Sequence, residues 1–280
     1  MFKLFGKKKP ESEPEAQSAP KSQHPEAAAL SAQFDPEEFD ILAVTGANGF
    51  GGDKGPDAEY WTATLPLTAW REGDGPIHQE DTCLVALADD TLLEYLRRRA
   101  PKDSIIQARV RQGLEDDRFL LVGLPTPMMD PELKAILNEQ VKEVSTWVDG
   151  LGTFVLNRSI NWFQADVDWL GQSIQLTFDR DEVQADCCRT ARALMDDQAG
   201  WDEKIRTYAV RELPAQYGQL EELASLPPEE LSRRLEAESL QVWGDGRFEF
   251  WFHDADFSWE HSVRVNGSLS GGPADIHLEG

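Results

Sequence analysis

From Phe248 to His253 the chain alternates strictly: Phe248, Phe250 and Phe252 fall on one side of an extended backbone and Glu249, Trp251 and His253 on the other. Only a half-buried strand satisfies that period, and Phe257, Trp259, His261, Val263 and Val265 repeat it in the next run. Asp245-Gly246 ahead of the first run is a hairpin turn signal. Most other apolar runs are equally short and punctuated by Gly, Pro or Asp, so the fold is expected to be strand-rich.

Two blocks emerge. In the first, residues 39–146, Ile41 to Thr45, Tyr60 to Trp70, Cys83 to Leu87, Ile105 to Arg111 and Phe119 to Val122 read as strands. Asp89 or Asp90 caps a helix carrying Leu92, Leu93 and Leu96, with Arg97 to Arg99 where a helix C-terminus favours positive charge. Asp130-Pro131 opens another, whose apolar spacing runs from Leu133 through Val141 to Val144. In the second block, residues 147–280, three strands (Leu151 to Asn157, Trp162 to Trp169, Ser173 to Phe178) precede three helices and four further strands. The class expected is α+β, two small domains, the second an antiparallel sheet packed by a central group of helices in βββ-ααα-ββββ order. Residues 1–38, rich in Lys, Glu, Pro, Ser and Gln, read as a disordered tail.

The formal charge of −24 argues against nucleic acid and against stable membrane insertion or coating, and leaves a basic protein as the expected partner class. Oligomeric state is not specified by the sequence. Three cysteines make no disulfide framework, no apolar run reaches the roughly 20 residues of a membrane span, and the basic start lacks a following apolar stretch. The expectation is a cytoplasmic protein. The vicinal Cys187-Cys188 reads as a buried structural pair in preference to a redox or metal site, since Cys187 lies on a helix's apolar stripe.

Gly46-Ala-Asn-Gly49-Phe-Gly-Gly52 has the form of a dinucleotide-binding turn, but a strand-like segment follows where the phosphates need a helix N-terminus. No cofactor is expected. The chemically densest stretch is Phe248 to His261. Trp251, Asp254, Asp256, Trp259, Glu260 and His261 form the expected partner-binding face, where acids speed encounter with a basic partner and tryptophans anchor it. From Glu236 to Gly280, nine Asp or Glu accompany only Arg247 and Arg264. In the alternative reading His253, Asp254, Asp256 and His261 gather at a hairpin end as a metal site or acid/base pair of an enzyme.

Leu151-Gly-Thr-Phe-Val-Leu-Asn157, Phe163 to Trp169, Trp201 at a helix start, Asp245-Gly-Arg-Phe-Glu-Phe250, Asp256-Phe-Ser-Trp-Glu-His261 and the Gly-rich finish from Gly267 resemble the bacterial domain of unknown function family 2262. Glu260 stands where that family usually shows Gly. The first block resembles the uncharacterised strand-rich domain that tends to precede it. The resemblance implies two domains and a bacterial cytosolic origin, and no activity. The expected function is therefore a non-enzymatic interaction module, of which an immunity-type inhibitor of a basic partner is one form, with the metal-dependent enzyme as its rival.

Overall fold

The computed structural model describes residues 24–218, 226–254 and 262–279, and of Asp254 the backbone alone. The chain divides into two compact units, Met1–Lys142 and Glu143–Gly280, both α+β and strand-rich. No described helix is long and apolar enough to cross a membrane.

In the first unit β1 (Phe34–Thr45), β3 (Trp61–Glu72), β4 (Thr82–Ala88), β6 (Phe119–Leu121) and β5 (Ile105–Gly113) are neighbours in that order, and β5 pairs back onto β1. The sheet therefore closes on itself. Only β4 and β6 run parallel. Five strands closed this way, with α2 (Asp90–Arg99) inserted between β4 and β5, have the connectivity of an OB-type Greek-key barrel. Two short strands add to it, β2 (Gly51–Asp53) on β3 and β7 (Thr126–Pro127) on β5.

Strict alternation fills the barrel: Ala63, Leu65 and Leu67 of β3 point inward with Ile41, Ala43, Leu84, Ala86, Ile106, Ala108 and Val110. The Asp89 carboxylate accepts from the Leu92 amide at 2.8 Å, starting α2 so that Leu93 and Leu96 reach the same core. α3 (Pro131–Gln140) sets Leu133 and Leu137 against Val44, Ala69 and Ile105. Its cap, Asp130, accepts from the amides of Glu132 and Leu133 and pairs with Arg71 of β3, both side chains nearly buried.

Two sequence expectations change here. Residues 24–38, assigned to the tail, form α1 (Pro25–Ser31) and the first part of β1. Pro25 sits in the first turn of an alanine-rich helix, the Arg111 side chain donates to the carbonyls of Ser31 and Phe34, and Phe34 is buried. Residues 1–23 of that expected tail lie outside the described residues. The stripe expected to continue through Val141 and Val144 stops at Gln140, and both valines are exposed.

The second unit is one eight-stranded sheet in the order β15 (Gly272–Glu279), β14 (Ser262–Ser268), β13 (Arg247–Asp254), β12 (Leu235–Val242), β11 (Gln172–Asp179), β10 (Trp162–Trp169), β9 (Gly152–Asn157), β8 (Ser145–Val148). β8 is a fourth strand ahead of the helices where three are expected. Nor is the sheet wholly antiparallel, because β11 and β12 pair in parallel. The physical reason is the connection: α4 (Gln184–Met195), α5 (Gln198–Tyr217) and α6 (Pro228–Arg234) lie in sequence between those two strands, and such a long crossover can return the chain in the same direction.

Leu194, Trp201, Ile205, Ala209 and Leu213 of α4 and α5 share one apolar core with Phe248, Phe250 and Phe252 of β13, and the Trp201 ring meets Phe248 edge-on at 5.5 Å. At its edge, the buried Trp169 donates from Nε1 to Asp202 at 3.1 Å, and Asp202 holds Arg206 at 2.7 Å. Arg206 in turn donates to the carbonyl of Ser232 at 2.9 Å.

Candidate functional site

The residues singled out in sequence do not assemble into a described site. Trp251 is partly buried on the sheet face opposite the helices, with the Arg264 guanidinium 5.5 Å from its ring centroid. Arg264 is itself held by Glu279 at 2.8 Å. His253 is exposed on the same strand, opposite Glu236 and Ser262 in register. The Asp254 side chain and Asp256, Trp259, Glu260 and His261 lie outside the described residues. Among the described residues no group of three or more His, Cys, Asp or Glu is placed to hold a metal ion.

The glycine-rich run is a loop from β1 to β2. It ends in Gly51 and Gly52, which are themselves the first residues of β2 and pair with Thr64 and Ala63, so no helix follows, and the Arg97 side chain donates to the Phe50 carbonyl at 3.1 Å. A Cβ on Gly52 would lie 3.0 Å from Leu93, so this glycine serves close packing between β2 and α2. Cys187 and Cys188 are buried on α4; burial, with Glu182 nearby, pushes the Cys187 thiol up to about 11, the opposite of what a reactive thiolate needs.

A cleft of about 600 Å³ lies elsewhere in the second unit, within the range of ligand-sized pockets. Three segments build it. The turn from β8 to β9 supplies Asp149, Gly150 and Leu151; β10 supplies Asp166, Val167 and Asp168; the end of α4 and start of α5 supply Arg192, Met195, Asp196 and Gln198. Gly150 at φ 78° and Gly152 at φ 97° allow the tight turn that carries Asp149. Leu170 and Gly171, both at positive φ, make the two-residue turn from β10 to β11, and the Gly171 amide donates to Asp168 Oδ1 at 3.2 Å.

The cleft's one guanidinium is already engaged, since Arg192 donates to the backbone carbonyl of Asp149 at 2.8 and 3.2 Å. Gln198 bridges, its amide nitrogen donating to the Asp168 carbonyl at 2.8 Å and its oxygen accepting from the Leu170 amide at 3.0 Å. Among the described residues none of the carboxylates of Asp149, Asp166, Asp168 and Asp196 has a cationic side chain within 4.0 Å. Among the described residues most other ionic contacts in the unit are local pairs, such as Arg189 with Asp186 or Arg233 with Glu230. Four acids against the single Arg192 leave the lining of this cleft net negative, and a negatively charged concavity attracts cations.

The sequence places Asp166 and Asp168 correctly on the polar side of a strand. Nothing in it joins them to Asp149 and Asp196, which lie 17 or more positions away in other elements. The available signals are the Asp149-Gly150 turn and the acidic end of α4.

Residues 26–140 match the family model described as a domain of unknown function (DUF7021), and residues 148–278 match the one described as an uncharacterized protein conserved in bacteria (DUF2262). Each unit matches its own family. The DUF2262 match bears out the resemblance drawn from Leu151 to Asn157, Phe163 to Trp169 and Asp245 to Phe250, and the DUF7021 match supplies the domain preceding it. No curated protein and no solved structure matches the chain. Neither family description states an activity, so function is argued from the cleft itself.

Proposed function

We propose that the second unit is a non-enzymatic binding module that receives a cationic segment of a partner protein in the cleft between the β8–β9 turn and β10. The observation that carries this reading is the lining of the cleft, in which four acidic residues, Asp149, Asp166, Asp168 and Asp196, accompany one cationic residue, Arg192, and none of the four has an ion-paired cation among the described residues. A lysine or arginine side chain entering it gains charge-assisted hydrogen bonds. Because these acids are exposed, the attraction is screened by salt over roughly 8 Å at physiological ionic strength. It therefore acts more on encounter rate than on residence time.

A barrel of OB connectivity suggests nucleic acid for the first unit, yet the chemistry of its usual ligand face points elsewhere. The positions of β3 and β4 that alternate with the barrel interior are Thr62, Thr64, Pro66, Cys83, Val85 and Leu87. None is cationic or aromatic, so that face offers neither a phosphate track nor a stacking platform.

The test is the affinity of pentalysine for the wild-type chain and for the combined Asp166→Asn, Asp168→Asn, Asp196→Asn variant at two salt concentrations. Asparagine preserves the acceptor to the Gly171 amide, so the fold is retained. The reading expects at least a tenfold loss in the variant at low salt and a flatter salt dependence; equal affinity and slope would refute it.

A further inference from the structure

On the sheet face opposite α4 to α6, four polar side chains stand directly across from one another in register: Thr177 of β11, Gln241 of β12, Glu249 of β13 and Asn266 of β14. Their chain neighbours, such as Leu176, Leu240, Phe250 and Val265, belong to the core under the helices, so these four point the other way. Thr177 is 5% exposed and Gln241 7%, yet among the described residues neither the hydroxyl nor the amide meets a hydrogen-bonding partner. Asn266 Oδ1 is enclosed and unpaired, and Glu249 comes no nearer to Arg264 than 3.9 Å. Buried polar groups of folded proteins are nearly always hydrogen-bonded, so a row of uncommitted ones across four strands marks a place where a bound molecule supplies the partners.

Two tryptophans bracket the row. Trp251 lies two residues beyond Glu249 on β13, and Trp243 two residues beyond Gln241 where β12 ends, its amide still bonded to the Arg247 carbonyl at 3.0 Å. Because β12 and β13 are antiparallel, the two indoles stand on opposite sides of the row. Each is only partly buried and is held by a guanidinium, Arg264 at 5.5 Å from the Trp251 centroid and Arg247 at 5.2 Å from that of Trp243. These arginines are themselves committed, Arg264 to Glu279 at 2.8 Å and Arg247 to Asp245 at 2.7 Å, which leaves a phosphate or carboxylate neither guanidinium to pair with. What the row offers is hydroxyl, amide and carboxylate groups between two flat apolar rings, a set that both gives and takes hydrogen bonds. A sugar ring is its complement, with hydroxyls that donate and accept at the rim and a face of C–H groups that packs on indole.

We propose that this face binds a neutral oligosaccharide laid across β11 to β14, with Thr177, Gln241, Glu249 and Asn266 bonding its hydroxyls and Trp243 and Trp251 packing on its rings. Strands about 4.8 Å apart present one polar side chain each, a repeat close to the length of one pyranose unit. The site shares no residue with the acidic cleft, so it goes beyond the function proposed above and stands or falls without it.

The probes are five uncharged oligosaccharides, cellohexaose, maltohexaose, laminarihexaose, mannohexaose and N-acetylchitohexaose, each titrated calorimetrically into the full chain. At least one is expected to bind and to change the tryptophan fluorescence. Toward that sugar Gln241→Leu, which keeps the side-chain volume and removes the amide, should bind at least tenfold more weakly, and so should Trp251→Ala. Trp147→Ala, whose indole is 70% exposed on the edge strand β8, should stay within twofold of wild type. If Gln241→Leu does not fold, Trp251→Ala carries the comparison alone. Binding by none of the five refutes the proposal and leaves water as the partner of the row. A sugar that binds Gln241→Leu and Trp251→Ala as tightly as wild type sits elsewhere on the chain and refutes it equally.

Discussion

Replacing Asp130 by alanine removes two interactions at once from the first unit, and the cost of each can be worked from the structure. The carboxylate caps α3, accepting from the Leu133 amide at 2.8 Å and the Glu132 amide at 3.1 Å, and loss of such a cap costs about 1 kcal/mol. It also neutralises Arg71, whose side chain is 11% exposed, and breaking a buried pair by removing one partner typically costs about 3–5 kcal/mol. Arg71 keeps Glu132 at 2.7 Å, but that carboxylate is 68% exposed, so the ion-pair cost falls at the lower end. The sum expected for Asp130→Ala is about 3–5 kcal/mol. Asp130→Asn retains a cap acceptor and loses only the charge, so it should cost about 1–2 kcal/mol less. Urea unfolding of the full chain, followed by the far-UV signal and by hydrogen exchange of the α3 amides, measures both variants. A loss below 0.5 kcal/mol in Asp130→Ala would refute the claim that this pair fixes α3 to the barrel. The pH dependence carries a definite sign. The Leu133 amide and Arg71 hold the Asp130 carboxyl below its usual range against the opposing effect of burial. A carboxyl depressed on folding contributes stability that is complete above its unfolded pKa, about 4, and is lost as pH falls through the folded value. The wild-type acid limb should therefore be steeper than that of Asp130→Asn.

Removing Asp202 should cost about 2–3 kcal/mol as Asp202→Ala, because Trp169 Nε1 loses its acceptor and Arg206 keeps only backbone carbonyls; chemical denaturation of the second unit reads this. Gly267→Ala should destabilise the same unit by about 1–3 kcal/mol, since the added Cβ would lie 2.5 Å from Phe248 Cζ and 2.8 Å from the Gly272 carbonyl oxygen; a change under 0.3 kcal/mol in the same assay would contradict that packing. In the native chain at pH 8 an aromatic disulfide reagent should modify Cys83 and spare Cys187 and Cys188 until unfolding, and rapid native modification of the vicinal pair would contradict their burial.

Strands with one buried face were legible. Phe248, Phe250 and Phe252 lie inside and Glu249, Trp251 and His253 outside, as the period-two pattern requires. The α+β class followed from the same signal. What escaped depends on pairing between distant segments. The acidic, proline-containing start of β1, Phe34 to Asp40, carries no apolar period; it is a strand because β5 pairs with it, with Arg109 beside Glu38 and Asp40 and Arg111 under its carbonyls. Barrel closure through β1 and β5, and the parallel pairing of β11 with β12, are likewise properties of contacts between remote residues. Val141 and Val144 mimic a continued helix because local spacing cannot show that neither valine has a buried surface to meet. The cleft was illegible for the same reason: its acids are unremarkable surface residues until the divergence of β9 from β10 brings three segments around one gap.

The most direct test of the central claim is a backbone amide map of the isotope-labelled full chain during titration with pentalysine at low salt. The account predicts shifts concentrated at Asp149 to Leu151, Asp166 to Asp168 and Asp196 to Gln198, fading as salt is raised. Shifts centred instead on Trp251, His253 and residues 254–261, or none at all, would contradict it.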